Sequence, residues 1–215
     1  MLRRLTDLLG RLGAPEVPTP TSPAPGGGGE PYVAAAPTVH EVRGFRVVVE
    51  NTRPDIRTAD VLARLDEALA LAERHQPWRV RHLRRDLREL RVVRFPCRGA
   101  YLPGERVCIT ELTFLARTDI TAAPVAASIL HEGMHARVDR MDLRGESRDP
   151  AREERICRRV ELDFGLALPP ALGTPVVQRA AASLQLADED VAPAIDWAEA
   201  QRRQDAVDAA SRRNA

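Results

Sequence analysis

The stretch Leu130-His131-Glu132-Gly133-Met134-His135-Ala136 constrains this chain more than any other, because it reads as H-E-x-x-H on a helix. Thr121 can cap that helix, and Pro124 falls in its first turn, where a missing N–H costs little. Ala126, Leu130, Met134 and Met141 recur at helical spacing and predict a buried stripe, on a helix read from about Ala122 to Asp139. His131 and His135 lie beside the stripe, one turn and about 6 Å apart along the axis, so their rings can converge on one ion. Glu132 points to a neighbouring side of the same turn, where it can hold a water without ligating the ion.

Two histidines need a third ligand. Asp139 continues their row, but it lies about 12 Å along the axis from His131, too far for one ion to reach both. Val138 and Met141 stand where a metzincin has glycine and histidine. A carboxylate from a second helix remains, and the periodic segment from Arg152 to Phe164 supplies Glu153, Glu154 and Glu161. Glu154 and Glu161 are two turns apart and only about 20° out of phase, which suits one ligand and one carboxylate that orients a histidine through its other ring nitrogen. Glu153 shares the phase of Ile156, Cys157, Val160 and Phe164, the predicted buried side, so it too can face inward.

Together, Leu130-His131-Glu132-Gly133-Met134-His135-Ala136-Arg137 and the later Glu154-x-x-Cys157-x-x-x-Glu161-x-x-Phe164 resemble the gluzincin type of zinc metallopeptidase. More narrowly, they are similar to a group of small bacterial metallopeptidases of unassigned substrate. The resemblance covers roughly residues 90–168. It implies that Zn2+ is held by His131, His135 and a downstream glutamate, with Glu132 as general base. Glu154 follows His135 at a spacing like that of the aminopeptidase branch, so it is the expected ligand, with Glu161 behind it. Glu153 is the alternative ligand; otherwise it is left for an arginine or for the positive end of its helix. The resemblance further implies a zincin-like α+β fold: a small, mostly antiparallel sheet packed on the motif helix and the Glu154 helix. In such folds an edge strand lines the cleft and pairs with the substrate backbone, here Val107-Cys108-Ile109-Thr110. Tyr101 is a candidate donor to the developing oxyanion.

Three cysteines in 215 residues, Cys97, Cys108 and Cys157, do not make a disulfide framework and point to a cytoplasmic protein. No C-x-x-C pair marks them as zinc ligands, and Cys108 reads as a small core residue. The formal net charge of +1 gives no global field for nucleic acid, and no stretch reads as a transmembrane span. Leu2, Leu5, Leu8, Leu9 and Leu12 share one face of a short amphipathic helix over 1–12, which could dock on a partner. Residues 13–38, rich in proline and glycine, read as a disordered linker. The metallopeptidase domain is expected over 39–213.

Within that domain Phe45, Val47 and Val49 alternate as a strand, and Leu62, Leu65, Leu69 and Ala72 mark a helix over about 58–75. Pro77 opens a second helix with Val80, Leu83, Leu87 and Leu90 inward and arginines over 79–91 outward. That face suggests anion or nucleic-acid binding as one alternative function, though interspersed Asp86 and Glu89 favour a solvated face. Segments 91–95 and 106–112 read as strands, with Pro96, Gly99, Pro103 and Gly104 punctuating the connection. Asp149 and Pro150 suit the start of the Glu154 helix. Two more helices follow, over about 174–186 and from about 191, with Trp197 anchoring the last. The favoured function is zinc-dependent hydrolysis of a peptide or protein substrate; a zinc-binding regulatory or scaffold module without turnover is the other alternative.

Overall fold

The computed structural model describes residues 36–141, 149–193 and 196–214, so the 1–12 helix and most of the linker lie outside the described residues. Thr38, taken as the last linker residue, already opens the first strand. Five strands form one sheet: β1 Thr38–Val42, β2 Phe45–Val49, β3 Glu89–Val93, β4 Gly99–Leu102 and β5 Val107–Glu111, in the order β1-β2-β3-β5-β4. The β1–β2 hairpin turns through Arg43 and Gly44, both at positive φ, as a two-residue turn matching the strand twist requires. Helices α1 Thr58–His75 and α2 Pro77–Asp86 then carry the chain over to β3, which pairs parallel with β2.

The sheet is therefore mixed rather than mostly antiparallel: β2–β3 and β3–β5 are parallel, while β1–β2 and β4–β5 are antiparallel. The helical crossover through α1 and α2 makes β2–β3 parallel, and the excursion through β4 at the edge brings β5 back parallel to β3. β5, expected at the edge, is paired on both sides, and all five of its residues are buried. β4, hidden among the glycine and proline signals of the connection, forms the edge on that side, and β1 forms the opposite one.

Six more helices complete the described fold: α3 Leu112–Ala116, α4 Ala123–Arg140, α5 Pro150–Ala167, α6 Pro170–Leu184, α7 Asp188–Val191 and α8 Trp197–Asn214. The core gathers Val47, Leu65, Leu69, Leu90, Ile129 and Phe164. Along α4 the buried residues are mostly small, which lets α1, α2, α5 and β4 all pack on it. Gly133 is the tightest point: a Cβ there would stand 1.9 Å from Leu83 Cδ2 of α2. The predicted stripe runs out at Met141, which is 47% exposed beyond the helix end, and Ile156 on α5 is exposed as well.

Helix α2 stops at Asp86, because Leu87 turns to extended backbone and Leu90 enters β3. Arg88 and Arg91 thus leave the supposed basic face. Arg79, Arg84 and Arg85 pair with Asp163, Glu73 and Asp86, so much of the face is neutralised. At the far end of the sheet, buried Asp208 of α8 accepts from Arg53 and Arg94, and the Trp197 ring packs 5.9 Å from that of Phe95. Among the described residues no helix is long and apolar enough to cross a membrane.

Candidate metal centre

Helices α4 and α5 build the site between them. The Thr121 hydroxyl accepts from the Ala123 N–H at the start of α4, and the Asp149 carboxylate caps α5 by accepting from the Arg152 N–H at 3.0 Å. Helical spacing then brings His131 and His135 together, with their Nε2 atoms 3.2 Å apart. Glu154 of α5 faces both rings: Oε2 lies 3.4 Å from His131 Nε2, and Oε1 lies 3.2 Å from His135 Nε2.

The other ring nitrogens are fixed from behind. His131 Nδ1 is 2.7 Å from Glu161 Oε1, as helical phase suggested for Glu161. His135 Nδ1 is 2.8 Å from Glu153 Oε1, so Glu153 orients a histidine. Its shared phase with Cys157 and Val160 was the signal. The same phase brings Cys157, wholly buried, to the rings. The donor atoms of His131, His135 and Cys157 lie within 4.8 Å of one another, a group that could hold a metal ion. Cys157 has no C-x-x-C partner in the sequence, so only the fold brings it to the histidines.

These partners reshape the acid–base behaviour of the metal-free site. Burial alone would strip the proton from His131; its hydrogen bonds to Glu154 and Glu161 outweigh burial and push its pKa up to about 10. His135 is raised well above its ordinary value too: burial opposes the shift, and Cys157, Glu153 and Glu154 overcome it. Glu154 is held well below the usual carboxylate range by the two histidines, against the effect of burial. Glu132 goes the other way: burial raises it, and the nearby histidines only moderate the rise.

Glu132 is 9% exposed and turns toward the sheet edge. A Cβ on Gly99, the first residue of β4, would lie 3.2 Å from both Glu132 Cγ and Oε1, so the bare backbone there makes room for the carboxylate. The strand beside the motif glutamate is thus β4, whereas Val107, Cys108, Ile109 and Thr110 sit one strand further in. Cys97 and Cys108 both lie close enough to Glu132 for its charge to raise their thiol pKa, a shift to which burial contributes most. Tyr101 is buried, and its hydroxyl donates to Asp139 Oδ2 at 3.0 Å. It ties β4 to the end of α4, which weighs against an oxyanion role. Beside Cys97 an open hollow of about 450 Å³ runs between the β3–β4 connection and α8. None of the histidines lines it.

No known protein family, curated protein or solved structure matches the chain.

Proposed function

We propose that the chain is a zinc-dependent peptidase of the gluzincin type, with His131, His135 and Glu154 as ligands and Glu132 as general base. The observation that carries this reading is the position of the buried Glu132 carboxylate, between the His–His–Glu tripod and the edge strand β4. The donor set suits zinc. Bonds of about 2.0–2.1 Å at tetrahedral angles put donors about 3.3 Å apart; the two Nε2 atoms are 3.2 Å apart, and each has one oxygen of the Glu154 carboxylate at 3.2 or 3.4 Å. Three protein donors leave a fourth position for water or substrate, the pattern of catalytic sites. Glu161 and Glu153 hold each imidazole in the tautomer whose Nε2 lone pair faces the tripod.

Zinc bound there would supply Lewis acidity to the attacking water and the scissile carbonyl. The chain's own residues do the rest. The outer edge of β4 offers backbone N–H and C=O groups on which an extended peptide can pair. Glu132 takes the proton of the attacking water on a carboxylate oxygen and delivers it to the leaving amine nitrogen. Close to one zinc per purified chain, and hydrolysis of some member of a broad peptide library, are the expected results. Folded protein that takes up no zinc would overturn the reading.

Cys157 supports a second reading. If its sulfur joins the tripod, four protein donors close the site, and the protein is a zinc-stabilised module without turnover. Glu154 is favoured as the third ligand because its two oxygens face both Nε2 atoms at 3.2 and 3.4 Å. Cobalt substitution separates the two readings. A thiolate-to-cobalt charge-transfer band that disappears in Cys157→Ser, with no hydrolysis of any peptide, would establish the closed site.

A further inference from the structure

We propose that Arg98, Arg158 and Arg179 receive a carboxylate of the substrate, so that the centre acts on peptides carrying a negative charge next to the scissile bond. The inference rests on the peptidase reading and names its substrate class.

The three arginines come from three elements. Arg98 immediately precedes Gly99, the residue that faces Glu132. Arg158 lies one turn after Glu154 on α5: Nη1 donates to Glu161 Oε1 at 2.6 Å, and Nη2 is 4.0 Å from Glu154 Oε2. Arg179 reaches in from α6, but its Nη2 stays 3.8 Å from Glu161 Oε2, beyond hydrogen-bond distance. Arg98 is exposed, with its guanidinium 5.2 Å from the centre of the Phe114 ring, and no carboxylate pairs with it among the described residues.

Two further observations indicate that something is missing there. The Nε–H of Arg158 is buried and has no acceptor, an uncommon and costly state for a charged donor. Arg179 has its pKa lowered, by burial first and then by repulsion from Arg98 and Arg158, in spite of Glu161. A carboxylate offers acceptors to all three arginines, and guanidinium groups match its geometry.

That carboxylate is either the substrate's C-terminus or an acidic side chain, and four peptides distinguish the two. They share one sequence and differ in glutamate or glutamine at one position and in a free or amidated C-terminus. Binding is measured by calorimetry on zinc-loaded Glu132→Gln protein, which does not turn them over. One of the two carboxylates should strengthen binding by roughly 10- to 100-fold, the range for hydrogen bonds to charged groups. Arg98→Gln and Arg179→Gln should each erode that preference and leave the neutral amidated peptide's affinity unchanged; Arg98→Lys should restore part of it. Equal affinity for all four peptides, a preference that survives in the double variant, or no binding at millimolar concentration would overturn the proposal. Hydrolysis of the neutral amidated peptide by the native protein tests the peptidase reading separately, and that reading can stand while the preference fails.

Discussion

Glu153 and Glu154 are neighbours in the chain with different roles, and the difference is measurable. Glu154 faces both Nε2 atoms, so Glu154→Ala should lose the most zinc affinity. Glu153→Ala and Glu161→Ala each free one imidazole from its orienting hydrogen bond and should lose roughly 10- to 100-fold, by competition with a calibrated chelator. The resemblance set Glu154 first and left Glu153 as the alternative ligand; its 2.8 Å contact with His135 Nδ1 gives it the same orienting part as Glu161. Glu132→Gln should keep zinc and lower hydrolysis by roughly 10²- to 10⁴-fold, the usual worth of a general base. Full activity in that variant would remove Glu132 from the role. Protons compete with the metal. In the metal-free protein the raised His131 stabilises the fold fully below its ordinary pKa of 6.5, and this contribution fades as pH rises through about 10. The depressed Glu154 and Glu161 contribute above their ordinary 4.5, and that contribution is lost as pH falls. Metal-free protein should therefore be most stable between these two ordinary values. Zinc uptake at neutral pH should release protons, which calorimetry in buffers of different ionisation enthalpy detects; uptake without release would contradict the protonated histidines.

Among the elements, the motif helix, the strand from Phe45 to Val49 and the capped start of α5 were legible in the sequence, each for a local reason. H-E-x-x-H fixes a face, Phe45, Val47 and Val49 fix a period, and Asp149-Pro150 fixes a boundary. β4 and the order of the strands were not legible. Gly99 and Pro103 look like turn signals, and only hairpin pairing with β5 makes an edge strand of the four residues between Arg98 and Pro103. The end of α2 escaped for a similar reason: Leu87 and Leu90 keep the helical phase, but β2 and β5 recruit Leu90 into the sheet. Gly133 shows a requirement that pattern alone does not reveal. Alanine there would improve helix propensity by about 1 kcal/mol yet drive a methyl group into Leu83. Gly133→Ala should lower stability, by about 1–3 kcal/mol as overpacked cores do, in urea denaturation. A Gly133→Ala protein as stable as the original would mean that Leu83 swings aside.

Across the whole molecule, the sheet and the first two helices hold one side of α4, and α5 with α6 holds the other. Every candidate ligand and both carboxylates that orient the histidines come from α4 and α5 alone. An ion at that seam is a cross-link as well as a reagent. It fastens α5, and the helices packed on it, to α4 and the sheet, much as a disulfide closes a loop, but reversibly. Chelation should then leave a molecule of two cooperative units. Amide hydrogens of α5 and α6 should exchange sooner once zinc is removed, while those of β2, β3 and β5 keep their protection. Uniform acceleration across both halves would mean that the centre supports the entire fold. If the halves do separate, the availability of zinc sets how often this protein opens, before any substrate arrives.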